Sequence, residues 1–314
     1  MKSLSGRMTS MGRQCTKCDN ESIIYQKYSG MHLCKKHFVE DVERKIKLTI
    51  RKHYNINRNE TIAIALSGGK DSTVLLYILN KIFGDRPDIN LVAITIDEGI
   101  SGYRLDTIQK SKELTDNLGI KHVIRSFADE YGMTLDELTQ KQRSYGACSY
   151  CGVFRKKLLN KTAKEEGATR LAIGHNLDDE AQTILLNHLK GDISRLVRLD
   201  PPKKIEGLTL RIKPLRSIPE KEVALYAIVN ELPMDFSECP YAHEAIRGEV
   251  RDMLNEFESK HPGTKHSLLS GFQKLLPILA KEYPPEENKL NECSVCGDLC
   301  TGSLCQACKL LGYE

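Results

Sequence analysis

The sequence predicts an α/β protein, a parallel β-sheet with helices on both faces, bracketed by a small cysteine-rich module at each end. Three observations carry that prediction. Apolar, β-branched runs alternate with helical patterns between Ile62 and about Lys190, and such alternation buries a parallel sheet between two helical layers. One run, Ile62-Ala63-Ile64-Ala65-Leu66, ends in Ser67-Gly68-Gly69-Lys70-Asp71-Ser72 and passes straight into the helical pattern Thr73 to Leu79, the layout of a strand, a tight turn and a helix N-terminus. The 11 cysteines fall into three groups, and with no secretion signal that grouping speaks for metal or redox chemistry rather than a disulfide framework.

With 314 residues, the chain has room for one large domain plus small modules. It holds no run of ~18 apolar residues and opens on no signal-peptide pattern, so no membrane association and a cytoplasmic location are expected. The net charge of +4 is modest, but the first 60 residues carry 13 Lys/Arg against 6 Asp/Glu. A basic N-terminal region suits a polyanionic partner, and equally a solvated basic face.

In chain order, a polar tail precedes Cys15-x2-Cys18 and Cys34-x2-His37. Three thiolates and an imidazole meet the tetrahedral demand of structural Zn²⁺, and a module of residues 1–40 is too small to hold a core without its metal. From Phe38 to about Tyr54 the pattern is helical, with Val42, Ile46 and Ile50 on one stripe and Arg44, Lys45, Lys47, Arg51 and Lys52 off it.

The main domain, residues 41–285, turns on Ser67 to Ser72. Gly68 and Gly69 let backbone approach a ligand closely. The unpaired N–H groups of the helix start favour an anion, and Ser67, Ser72 and Lys70 add two hydroxyls and a cation. The spacing is not that of the P-loop, which places four residues between its first Gly and the Gly-Lys-Ser/Thr. It resembles the PP-loop of ATP pyrophosphatases, which implies cleavage of ATP between the α and β phosphates. A second strand, Leu91 to Ile96, ends at Asp97-Glu98-Gly99. A helix from about Tyr103 to Leu118 and a strand from His122 to Ser126 follow. A further strand, Arg170 to Gly174, leads through His175-Asn176-Leu177-Asp178-Asp179 into a helix reaching about Lys190. Ligands of such sheets lie beyond the carboxyl ends of the strands, so adenosine is expected against Ile96, Asp97 and Gly174. Asp179 either orients Mg²⁺ or a water, or complements its helix dipole.

The second cysteine group is Cys148-x2-Cys151 with Cys239 far along the chain. The pair sits just before an expected helix, Val153 to Glu166, whose first turns carry Arg155, Lys156 and Lys157. Basic residues there oppose the dipole, which a bound anion explains. Three cysteines are one short of a closed structural site, leaving three readings: a [4Fe–4S] cluster with an open iron, redox thiols of which one carries a persulfide, and zinc completed by another ligand. Arg195, Arg198, Arg216 and Arg247 are candidate phosphate contacts. Beyond a linker at Pro284-Pro285, Cys293-x2-Cys296 and Cys305-x2-Cys308 in residues 286–314 form a strong zinc-ribbon signature; Cys300 is left over.

Asp97-Glu98-Gly99-Ile100-Ser101-Gly102-Tyr103-Arg104, Cys148-x2-Cys151-Gly152-Val153-Phe154-Arg155, Gly174-His175-Asn176-Leu177-Asp178-Asp179 and Glu238-Cys239-Pro240-Tyr241 together resemble the tRNA 2-thiouridine synthetases of the TtuA/NcsA and cytoplasmic U34-thiolation family, from about Cys15 to Cys308. The first stretch resembles the wobble-uridine branch. The resemblance implies an adenine nucleotide α-hydrolase-like fold and an ATP-dependent tRNA sulfurtransferase. Such an enzyme adenylates O2 of a uridine, U34 or alternatively U54, and then replaces it with sulfur. It implies Ser67, Gly68, Gly69, Lys70, Asp71 and Ser72 at the ATP phosphates, Mg²⁺, a [4Fe–4S] cluster on Cys148, Cys151 and Cys239, and two Zn²⁺. It also implies catalytic roles for Asp71, Arg155 (where the family often has Lys) and Asp179. The expected partners are tRNA, a sulfur donor (free sulfide or a ubiquitin-like thiocarboxylate carrier) and a second copy in a homodimer.

Overall fold

The computed structural model describes residues 13–141, 146–199, 209–235, 237, 239–241, 247–284 and 291–313. The polar tail, the Pro201-Pro202 loop and the expected linker at Pro285 lie outside them. A hairpin of β1 (Ile24–Gln26) and β2 (Met31–Leu33) leads into α1 (Lys35–His53). Phe38, Val42, Ile46 and Ile50 recur every four residues along α1 and all are buried, as one apolar stripe on a surface helix requires. The expected boundary between residues 40 and 41 falls inside this helix, so module and main domain are joined through continuous backbone hydrogen bonding.

The central sheet contains β3 (Glu60–Ala65), β4 (Ile89–Asp97), β5 (Lys121–Ser126), β6 (Arg170–Ala172) and β7 (Leu210–Ile212). All are parallel, in the order β5-β4-β3-β6-β7. β7 was not expected; a three-residue strand is too short to declare an alternation. Between the strands run α2 (Lys70–Phe83), α3 (Arg104–Leu118), α4 (Phe127–Tyr131), α5 (Leu135–Lys141), α6 (Ala147–Glu165), α7 (Leu177–Leu189) and α8 (Ile193–Val197). After β7 come α9 (Glu220–Val229), α10 (Arg247–Lys260) and α11 (Thr264–Glu282), then β8 (Asn291–Glu292), β9 (Leu299–Cys300) and α12 (Gln306–Leu310).

α6 corrects an expectation. It starts at Ala147, so Cys148 and Cys151 lie inside its first turns, not ahead of it. The buried stripe Ala147, Tyr150, Cys151, Phe154 and Leu158 explains the early start, because Cys151 serves the packing as a small apolar residue. Arg155, Lys156 and Lys157 therefore lie beyond the first turn, where the dipole has faded, and the argument for an anion from dipole opposition lapses.

The sheet separates two cores. Ile62 and Ile64 of β3 pack with Phe38, Val74, Leu75 and Tyr226 on one face; Ala63, Val92, Ile94 and Ile96 pack with Tyr150 and Phe154 on the other. Cys15, Leu33 and Cys34 belong to the first core, and Cys293, Cys305, Cys308 and Leu310 to the second. The two terminal modules thus extend opposite faces of one sheet. No helix among the described residues is long and apolar enough to cross a membrane.

Candidate functional site

Chain order along the sheet reverses at β3: β4 and β5 build outward on one side, β6 and β7 on the other. The crevice beyond the ends of β3 and β6 is the switch point where such sheets bind ligands, and it is bounded by the turn Leu66 to Gly69 and by Gly174. Gly68 has φ +85°, and a Cβ there would stand 2.2 Å from the Thr107 carbonyl oxygen. Only glycine fits on both counts. The Ser72 hydroxyl accepts from the Ser67 N–H at 3.0 Å and donates to the Gly69 carbonyl at 3.0 Å. Ser72, buried, thus closes the turn from inside, whereas Ser67 is exposed at the rim. No side chain caps the N-terminus of α2, so its first N–H groups face the crevice, an anion cradle. A Cβ on Gly174 would lie 3.1 Å from the Ser72 nitrogen, which shows how tightly the β6 end seats on the same turn.

Lys70 Nζ lies 3.1 Å from Asp71 Oδ2 and 2.8 Å from Glu220 Oε1. Burial works against its charge, but these carboxylates outweigh it and hold the ammonium above its ordinary value. Asn176 Nδ2 donates to Asp71 Oδ1 at 2.9 Å. Asn176 and Asp179 form a reciprocal capping box on α7, at 3.1 Å in each direction. Asp179 Oδ2 is therefore engaged by the helix start, as the dipole reading anticipated. Burial raises the carboxyl pKa of both Asp71 and Asp179, with the charge of Asp179 adding to the shift of Asp71 and those of Glu220 and Asp178 to the shift of Asp179. Two desolvated carboxylates at adjoining helix starts, beside a phosphate cradle, suit a hydrated Mg²⁺. Two expected phosphate contacts are instead committed internally: Arg216 is buried against Glu180 at 3.1 Å, and Arg247 donates to the Asp179 carbonyl at 3.2 Å.

The three central cysteines lie in one region of the fold. Cys148 Sγ lies 3.5 Å from the Tyr241 carbonyl, two residues past Cys239, and the Tyr241 hydroxyl donates to Asp136 Oδ1 at 2.8 Å. Cys151 is buried in the core against which Cys239 and Tyr241 pack. Upstream of Cys239, the Asp235 N–H donates to the Gly68 carbonyl at 3.1 Å, and Asp235 bridges Gly69 as a strand would. Cys239, four residues later, is at most about 14 Å from Asp235. Among the described residues, two groups of three or more ligand atoms lie within 4.8 Å of one another, and Cys148, Cys151 and Cys239 are in neither. Thiolates on one zinc sit about 3.8 Å apart, given a Zn–S bond of about 2.3 Å. Three cysteines bring soft sulfur donors, the ligand type of an iron–sulfur cluster, and leave one position open.

A chain of charge, buried at Arg104 and Glu98, connects this site to the turn. Arg104 Nη1 donates to the Ser67 carbonyl at 3.0 Å and Nη2 to the Ile96 carbonyl. Its Nε lies 2.8 Å from Glu98 Oε2, while Glu98 Oε1 lies 2.7 Å from Arg155 Nε, and Arg155 Nη2 reaches Cys151 Sγ at 2.9 Å. Burial, countered only partly by Arg155, pushes the Cys151 thiol up to about 11. Sequence reading passed over Glu98 and Asp235. For Glu98 a signal exists: it continues the even-numbered phase of Ile94 and Ile96, the face of β4 that packs with Tyr150 and Phe154. Asp235 carries none.

The two remaining groups are the terminal ones. Cys15 Sγ is 3.3 Å from His37 Nδ1, Cys18 and Cys34 are 3.7 Å apart at sulfur, and Cys296 and Cys305 3.6 Å. These are tetrahedral-edge distances. Backbone N–H groups, that of Cys305 foremost, pull the Cys293 thiol down to about 6, readying it as a thiolate ligand. Cys300 bonds the Gly302 carbonyl at 3.0 Å, outside the group. Lys157 of α6 reaches Cys296 Sγ at 3.1 Å and Asp298 Oδ2 at 3.2 Å, placing a cation beside the four cysteines.

Residues 39–255 match a family model described as a PP-loop domain, and residues 14–39 one described as the N-terminal LIM domain of 2-thiouridine synthetase TtuA. The chain is 41% identical to the tRNA 2-thiolation protein NcsA of Haloferax volcanii over 95% of its length and 98% of that protein's. It is 34% identical to the tRNA-5-methyluridine(54) 2-sulfurtransferase of Pyrococcus horikoshii, over 96% and 94%. Among solved structures, the U34-tRNA thiolase NcsA from Methanococcus maripaludis with its [4Fe-4S] cluster superposes with a TM-score of 0.82 at 39% identity, covering 96% of each chain.

Proposed function

The chain belongs to the TtuA/NcsA family of PP-loop tRNA 2-thiolation proteins, and from that premise we propose that it is an ATP-dependent tRNA uridine 2-sulfurtransferase acting at U34. One observation carries the reading: the anion cradle after β3 and the three central cysteines share one rim, tied together through Asp235 and through Arg104, Glu98 and Arg155. Thiolation needs both halves, a phosphate-activated carbon and a soft sulfur within attack distance.

In this reading the N–H groups of the turn and Ser67 bind the ATP phosphates, Asp71 and Asp179 hold Mg²⁺, and Ile96, Asp97 and Gly174 border adenosine. Uridine O2 attacks the α-phosphorus, forming an O–P bond and expelling pyrophosphate; sulfur then bonds C2 and AMP leaves with the oxygen. Cys148, Cys151 and Cys239 would hold a [4Fe–4S] cluster, which when bound supplies an iron position free of protein ligands for a sulfur atom. Arg155, 46% exposed and aimed at Cys151, neutralises anionic sulfur there. Zn²⁺ fills the terminal groups, and the basic α1 face meets the tRNA backbone. The higher identity to the relatives named NcsA, 41% and 39% against 34%, favours U34; the Pyrococcus horikoshii relative is the ground for U54 as second reading.

The test is anaerobic incubation of the protein with unmodified tRNA, ATP, Mg²⁺ and either sulfide or a thiocarboxylate carrier, followed by nuclease mapping. 2-Thiouridine at position 34, with AMP and pyrophosphate in equal amounts, is the expected result. Thiouridine at 54 selects the second reading, and tRNA binding without AMP release defeats both.

A further inference from the structure

We propose that Glu98 is a positioning residue that locks the nucleotide turn and the Cys151 region into one register. It rests on the function proposed above, and it concerns residues outside the phosphate cradle and the cysteine set. Glu98 and Arg104 are 3% and 4% exposed, far below what charged side chains ordinarily show. One buried carboxylate serves two guanidiniums from different helices: Arg104 of α3, whose other nitrogens hold the carbonyls of Ser67 and Ile96, and Arg155 of α6, which holds Cys151. The single carboxylate is thus the shared partner that holds both guanidiniums in place. Removing the carboxylate leaves Arg104 in the interior without a counter-ion and frees Arg155 to swing into the open cleft. The turn and α6 then lose the side-chain link that runs through Glu98.

The geometry makes Glu98 a coupling element rather than a support for either site alone. In the wild-type chain, ATP binding to the turn is expected to slow amide hydrogen exchange both in residues 66–73 and in residues 147–155. In Glu98→Gln, protection by ATP persists at the turn and vanishes at 147–155. In the full reaction, AMP formation stays within about threefold while thiouridine falls about tenfold or more, since displacement of reacting groups by ~1 Å costs rates of this order. Water then attacks C2 in place of sulfur, restoring uridine and releasing AMP without thiouridine. If Glu98→Gln does not fold, Glu98→Asp, which keeps the charge and shortens its reach, is measured instead. Equal ATP-induced protection at 147–155 in variant and wild type, absence of that protection in wild type, or parallel loss of AMP and thiouridine overturns the proposal. A wild-type protein that makes no thiouridine overturns the functional reading instead, and the exchange measurement still decides the coupling.

Discussion

Gly68 and Asp179 show how far single residues constrain this site. Gly68 combines a left-handed φ with a 2.2 Å clash awaiting any Cβ. Gly68→Ala is expected to cost on the order of 3 kcal/mol from backbone strain and overlap together, read by urea unfolding, and to abolish ATP binding because the turn must retreat from Thr107. Asp179 behaves oppositely. Burial holds its carboxyl above the ordinary carboxylate range. Its contribution to stability is thus fully present below the unfolded value and lost as pH rises through the folded one, so near neutrality the ionised group is a cost to the fold. Asp179→Asn keeps an acceptor for the Asn176 N–H. It should unfold at the same or a higher temperature near neutral pH and yet form AMP about 10²-fold more slowly. A lower unfolding temperature with unchanged AMP formation would make Asp179 a capping residue only.

Among elements, α6 carries the most. Its first turns present Cys148 and Cys151, its middle presents Arg155 to Glu98, and Lys157 reaches the C-terminal thiolates. One rigid helix therefore sets the distance between the central cysteines and a terminal centre. Cys148→Ala, Cys151→Ala and Cys239→Ala are each expected to abolish thiolation while ATP affinity, measured by calorimetry, stays unchanged, since none of the three touches the turn. Thiolation surviving in any one of them would mean that the sulfur is not held by the three together. The helix was legible from about Val153 onward by its period; its true start was not, because Cys148 and Cys151 read as ligands and not as the packing residues that Cys151 also is.

At the scale of the molecule, the terminal modules are extensions of two cores rather than appendages on linkers. Cys15 and Cys34 share the core of α1 and α2, and Cys293, Cys305 and Cys308 that of α6. On the proposed assignment of one zinc to each terminal group, Cys34→Ser should therefore remove one bound zinc per chain and lower the unfolding temperature of the main domain within a single transition. Two separate transitions, with the main domain unmoved, would show that the module is energetically independent. The α1 helix that crosses the boundary gives the physical reason to expect one.

Features imposed by neighbours within a few residues are legible in the chain: the glycine turn after a buried strand, the two four-ligand terminal groups, the strand–helix alternation and the stripe of α1. Which of these act together is a matter of packing. Packing brought Glu98 from the end of β4, Arg104 from α3 and Arg155 from α6 onto one line between Ser67 and Cys151, set Asp235 against the turn, committed Arg216 and Arg247 to internal partners, and put the two modules on opposite faces. Local spacing fixes backbone conformation and donor sets, because those depend on dihedral angles and reach along the chain. Ion pairs between distant segments depend on how layers pack, and a charged residue reads as solvated until the packing buries it.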